Sequence, residues 1–128
     1  MNPEAQTRKR ILLVEDEAMV AMLIEDILAD LHCELAGTAS RLHEALNMAQ
    51  TAALDVAILD VNLAGETTFP VADALKARRI PFIFATGYGA SQISDVYADV
   101  PTLPKPFQAQ DLARALEVAL RLNALQSS

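Results

Sequence analysis

The chain of 128 residues predicts an α/β fold, a parallel sheet with helices wound on both faces, and three observations carry that prediction. Short apolar runs rich in branched side chains recur along it, and near-continuous runs of this kind suit strands buried on both faces. Between them lie segments whose apolar residues repeat with helical spacing. Each strong run then stops at a polar residue, which lines polar side chains along one end of the sheet. In open sheets of this class, ligands bind outside the carboxyl ends of the strands, where the strand order reverses.

The elements follow in order. ILLV at 11–14 is the first strand, ended by Glu15, Asp16 and Glu17. Val20, Leu23, Ile24, Ile27, Leu28 and Leu31 then keep the spacing of one helix face packed on a core. CELAGT at 33–38 is a weaker strand, followed by Ser40 as N-cap and a helix through Leu42, Ala45, Leu46 and Ala49. VAIL at 56–59 is the third strand, ended by Asp60. Thr68 and Pro70 open a helix that runs to about Arg79, with proline acceptable in the first turn. PFIFA at 81–85 is the fourth strand, ended by Thr86, and a short helix is expected over 91–97. VPTL at 100–103 is the fifth strand, and PKPF leads into a last helix over 108–122. Five strands alternating with five helices, joined by right-handed crossovers, leave few topologies.

Length allows one hydrophobic core, so a single domain over 1–128 is expected, with its core at about 9–123 between polar ends. Hydrophobic residues make up 52% and charged residues 21%, which fits a folded domain. The net charge of −7 and the scattered Lys and Arg argue against a nucleic-acid partner, whose phosphates need clustered cations. Cys33 is the single cysteine, no charged-then-apolar leader opens the sequence, and no apolar run approaches ~18 residues. The expectation is a cytoplasmic protein with no membrane insertion. His32 and His43 are isolated and fit no metal set.

The strand ends bring together Glu15, Asp16, Asp60, Thr86 and Lys105. Two carboxylates ~4 Å apart repel by about 4 kcal/mol at an effective dielectric near 20, so the acidic trio is either solvated in loops or balanced by a cation. An all-oxygen set with few side chains favours Mg²⁺. After the fourth strand, Gly87 and Gly89 flank Tyr88, a spacing that suits a loop which moves or approaches a ligand closely.

VED after the first strand, ILDVN after the third, ATG after the fourth and LPKPF after the fifth, in that order over nearly the whole chain, resemble the receiver domain of two-component response regulators. The resemblance implies a flavodoxin-like, CheY-like sheet of order 2-1-3-4-5. It implies Asp60 as phosphoryl acceptor from a histidine kinase or a phosphotransfer protein. Asp16, Asp60 and the backbone carbonyl of Asn62 would bind Mg²⁺, with Glu15 acting through water or positioning Asp16. Lys105 would pair with a phosphoryl oxygen, with a cis bond to Pro106 possible. Thr86 would donate its hydroxyl to the phosphoryl group and draw in the loop of Gly87, Tyr88 and Gly89.

PFIFATGYG further resembles the FAT GUY subgroup, stand-alone receivers associated with kinases of the HWE or HisKA2 type and with general stress signalling. Two departures from the broader receiver pattern accompany it. Thr102 stands where many receivers carry a switching aromatic, so Tyr88 becomes either the replacement switch or a ring covering the end of the fourth strand. Ala64 and Gly65 stand where many have proline, which predicts a looser loop. Tyr97 reads as packing.

With no output segment expected after the last helix, signalling would run through protein contact or phosphorelay. Met19 and Met22 lie off the core stripe near Asp16, and methionine suits adaptable interfaces, though partial burial explains them equally. On the last helix Leu112, Leu116, Ala119 and Leu120 form the core face, while Ala115, Val118, Leu122 and Leu125 make a second stripe, for a partner or homodimer or for peripheral burial. Pro106 and Phe107 complete the candidate partner residues. A phosphate sink is the rival within signalling. A Mg²⁺-dependent phosphatase with an aspartate nucleophile is the rival from another class, but it usually carries a second aspartate where this chain has Asn62. A pure binding module predicts loss of the acidic or lysine positions, and all are present. The chain is expected to catalyse only its own phosphorylation and dephosphorylation.

Overall fold

The structure, a computed structural model, describes residues 8–87 and 97–127, with side chains described through residue 122. Its strands are β1 (Arg10–Val14), β2 (Glu34–Ala39), β3 (Val56–Asp60), β4 (Asn62–Leu63), β5 (Glu66–Thr67), β6 (Phe82–Thr86) and β7 (Thr102–Pro104). The helices are α1 (Ala18–Asp30), α2 (Leu42–Thr51), α3 (Phe69–Ala77) and α4 (Ala109–Ser127). Five strands form one parallel sheet in the order β2-β1-β3-β6-β7, as expected for the doubly wound class. The helix expected over 91–97 lies outside the described residues except for Tyr97.

Alternation along the strands divides the core in two. Leu12, Val14, Ala57, Leu59, Phe82 and Phe84 face α2 and α3, where Ala45, Ala49, Val71, Ala72 and Leu75 meet them. Ile11, Leu13, Val56, Ile58, Ile83 and Ala85 face α1 and α4, against Ile24, Ile27, Leu28, Leu112, Leu116 and Ala119. Tyr97 is buried, as its packing role predicts. Its ring stacks on Phe69 and meets Phe82 and Phe84 edge-on, and its hydroxyl donates to Asp73. No helix among the described residues is long and apolar enough to cross a membrane.

Several local expectations are corrected. Leu23 is 56% exposed, because the buried face of α1 centres on Ala21, Ile24, Ile27 and Leu28. Arg41, not Ser40, is the N-cap of α2, and no side chain caps it. Helix α3 ends at Ala77 with Arg78 as C-cap, and α4 runs on to Ser127. The expected looser loop at Ala64 and Gly65 is a two-residue turn joining β4 to β5, with Asn62 opposite Thr67 and Leu63 opposite Glu66. Both turn residues have positive φ, 52° at Ala64 and 86° at Gly65, as a hairpin turn of this length requires.

The corrected α1 face yields a stability test. Ile24→Ala should destabilise by about 2–5 kcal/mol, whereas Leu23→Ala should stay within about 0.5 kcal/mol of the parent. Urea unfolding of the two variants measures both, and equal losses would contradict this packing.

Candidate functional site

The carboxyl ends of β1, β3, β6 and β7 meet on one rim because the ladders hold these strands in register. Val14 pairs with Leu59, Asp60 with Ala85 and Thr86 with Pro104, so Glu15, Asp16, Asp60, Thr86 and Lys105 fall at neighbouring strand ends. The backbone N–H of Lys105 donates to Thr86 O at 2.9 Å, and the Lys105-Pro106 bond is cis. Ligand atoms of Glu15, Asp16 and Asp60 all lie within 4.8 Å of one another. Lys105 Nζ sits between two of these carboxylates, 2.6 Å from Glu15 Oε1 and 3.3 Å from Asp60 Oδ2.

Backbone donors hold the same carboxylates. Glu15 Oε2 accepts from the Glu17 N–H at 3.2 Å, Asp16 Oδ2 from the Ala64 N–H at 2.9 Å and Asp60 Oδ1 from the Asn62 N–H at 3.4 Å. Below Asp60, the Thr68 hydroxyl donates to its carbonyl at 2.5 Å and ties the start of α3 to the end of β3. Above the rim opens a cleft of about 620 Å³ lined by Asp16, Asp60, Asn62, Gly87 and Lys105, among others. A smaller cavity of about 310 Å³ at the opposite end of the sheet, between Ile80, Phe82, Val100 and Leu122, holds no carboxylate cluster. The chemistry therefore belongs to the rim.

Burial dominates the electrostatics of Glu15, only 2% exposed, and pushes its carboxyl above its ordinary 4.5 against the hydrogen bond and charge of Lys105. For Lys105, burial alone would lower the ammonium, but the hydrogen bond to Glu15 and the charge of Asp60 raise it overall above 10.5. This network presents an acceptor carboxylate, an ammonium beside it and an all-oxygen donor set suited to a hard divalent cation.

The sequence-predicted residues divide accordingly. Glu15, Asp16, Asp60, Asn62, Thr86, Gly87 and Lys105 share the rim, with Thr86 buried at the end of β6. Tyr88 and Gly89 lie outside the described residues. Among the partner candidates, Met19 is 85% and Met22 63% exposed on α1, Val118 and Leu122 are exposed on α4, and Pro106 is exposed. Phe107 departs from that reading, because its half-buried ring packs against the core beside α4. The sequence reading missed the Ala64 contact to Asp16 and the Thr68 contact to Asp60; a glycine in a two-residue turn was the available signal for the first.

Because its folded pKa is raised, Glu15 contributes stability that is full below 4.5 and fades as pH rises through its folded midpoint. Lys105→Met removes the two main influences pulling that midpoint down, so the midpoint should move further up. Side-chain carboxyl titration by carbon NMR reads this, and a downward move would contradict the assignment.

Residues 11–117 match the family model described as response regulator receiver domain. Among solved structures the chain is similar to SdrG from Sphingomonas melonis Fr1, at 44% identity and TM-score 0.80 over 88% of this chain and 97% of that one. SdrG has also been solved in a BeF3-activated conformation, with TM-score 0.75. The receiver domain of Erythrobacter litoralis PhyR is 27% identical with TM-score 0.79, covering 91% of this chain and 93% of that one. The transcriptional regulatory protein PdtaR of Mycobacterium tuberculosis is 28% identical over 91% of this chain, which spans 59% of PdtaR's length. With a family model covering most of its length, a five-stranded parallel sheet and an acidic rim at the strand ends, the chain belongs to the response regulator receiver domain family.

Proposed function

We propose that the rim accepts a phosphoryl group on Asp60 from a phosphohistidine donor and signals by protein contact or onward phosphotransfer. The observation that carries this reading is the position of Lys105 Nζ between Glu15 and Asp60, which leaves an acceptor carboxylate beside a fixed cation. A carboxylate oxygen of Asp60 attacks phosphorus, the P–N bond breaks, and the imidazole nitrogen leaves with the electron pair. Water later cleaves the acyl phosphate, releasing inorganic phosphate and restoring the carboxylate. Lys105 holds Asp60 in place and, once the phosphoryl group arrives, donates to one of its oxygens. The Thr86 hydroxyl donates to another.

Glu15, Asp16, Asp60 and the Asn62 carbonyl would hold Mg²⁺, and their all-oxygen chemistry fits that ion. When bound, such an ion neutralises charge on the transferring phosphoryl oxygens. Catalysis is confined to the domain's own phosphorylation and dephosphorylation. The likeness to SdrG and PhyR, together with PFIFATGYG, supports the finer reading of a cytoplasmic FAT GUY regulator served by an HWE or HisKA2 kinase in general stress signalling. The BeF3-activated state of SdrG supports a site that answers to a phosphoryl-sized anion. Asn62 in place of a second aspartate disfavours the phosphatase reading, since no general acid stands there to protonate the leaving group of a phosphate ester.

Incubation with Mg²⁺ and a radiolabelled phosphorylated kinase tests the assignment. Wild type should take up label, Asp60→Asn should not, and Thr86→Ala should take up label without the conformational response of wild type. Equal labelling of wild type and Asp60→Asn would overturn the acceptor assignment.

A further inference from the structure

The geometry points to the β4–β5 hairpin as a positioning device for Asp16, acting through the Ala64 N–H and depending on Gly65. This deepens the phosphoryl-acceptor reading and rests on it for the role of Asp16 as a cation ligand. Asp16 is exposed and lies two residues beyond the end of β1 at Val14, outside the ladder. Its Oδ2 instead accepts from the backbone N–H of Ala64, 48 positions later in the chain.

The donor is placed by a closed piece of backbone. The turn Ala64-Gly65 reverses the chain between β4 and β5, and the Thr68 N–H donates to Val61 O at 2.9 Å behind it. The Thr68 hydroxyl fastens the same segment to Asp60 O. One end of this loop thus carries Asp60 and its tip holds Asp16, so the hairpin sets the separation of two carboxylates that arrive on different strands. A carboxylate offers about four lone-pair sites on two oxygens, so a hydrogen bond to Oδ2 orients Asp16 and leaves Oδ1 open for a cation. Such outer contacts matter: removing a hydrogen-bond partner of a metal ligand typically costs about 10–100-fold in metal affinity.

The turn also shows why Gly65 is required. At φ 86° it lies in left-handed backbone, which a β-branched side chain resists, while the space around a Cβ there is open. Substitution at Gly65 therefore strains the turn without colliding with anything, and the sheet beneath stays intact. Asparagine tolerates left-handed backbone better than valine does.

The test is Mg²⁺ titration by calorimetry on the full chain, with amide hydrogen exchange at Ala64 as an independent readout. Gly65→Val should bind Mg²⁺ about tenfold more weakly than wild type and lose Ala64 protection, and Gly65→Asn should fall between the two. Asp16→Ala should also lose Ala64 protection, since the acceptor is gone. Unchanged or tighter Mg²⁺ binding by Gly65→Val overturns the proposal, as does Ala64 protection retained in either Gly65→Val or Asp16→Ala. A wild type that binds no Mg²⁺ while Asp16→Ala still loses Ala64 protection defeats the cation-site reading and with it the role given to the hairpin, and so separates that failure from a failure of the hairpin alone.

Discussion

Three carboxylates are held within 4.8 Å of one another with a single ammonium, that of Lys105, bonded to two of them. If all are ionised, one positive charge faces three negative ones. Such a cluster is stable only where donors and solvent make up the difference, since like charges at this spacing repel by several kcal/mol at protein dielectrics. The rim makes it up in graded fashion. Glu15, fully enclosed, takes the strongest contact from Lys105 and still has its pKa raised by burial. Asp60 shares the ammonium and takes a long hydrogen bond from Asn62. Asp16 stays in water and accepts from the Ala64 N–H. The remaining negative charge faces the open cleft that Asp16 and Asp60 line.

That cluster is a consequence of how the core packs. The strands are parallel and apolar on both faces, so their register is set by the interdigitation of Leu12, Val14, Leu59 and Phe84 on one side and Ile11, Leu13, Ile58 and Ile83 on the other. A slip of one residue in β3 would exchange its two faces and also move Asp60 away from Glu15. Core and site are thus specified by the same pairings, and selection on one constrains the other.

The strands were readable because each is a continuous apolar run stopped by a polar side chain, and the sheet followed from their alternation with helices. The failures have physical causes. Successive helical residues are ~100° apart, and the small Ala21 adds little to an apolar pattern although it is buried, so a stripe drawn through the larger residues included Leu23 on the solvent side. Strands β4 and β5 have two residues each, too few for alternation to register, and their turn has a glycine only at its second position. For the site, Glu15, Asp16 and Asp60 were visible as strand-end acids. Lys105 was placed on the rim by its position just after the fifth strand, but between two prolines it otherwise reads as an ordinary turn, and its pairing role came from the family resemblance. The contacts of Ala64 and Thr68 had no such resemblance behind them.

The same contacts limit how a change of charge at Asp60 can travel. Thr102, at the position where many receivers carry an aromatic, spends its hydroxyl on Val100 O, and Tyr97 is committed to the cluster of Phe69, Phe82 and Phe84. Burial, followed by the neighbouring Asp73, pushes the Tyr97 hydroxyl up to about 12, so it remains a neutral donor throughout the physiological range. Contacts to Asp60 among the described residues include Lys105, whose backbone N–H also holds the end of β6; Thr68, which bonds the Asp60 carbonyl and opens α3; and Asn62, which starts the hairpin. These contacts tie Asp60 to the ends of β6 and α3 and to the β4–β5 hairpin, while the aromatic cluster lies in the core beneath. The rim is thus connected outward through these three elements, over a core that keeps the strands in register.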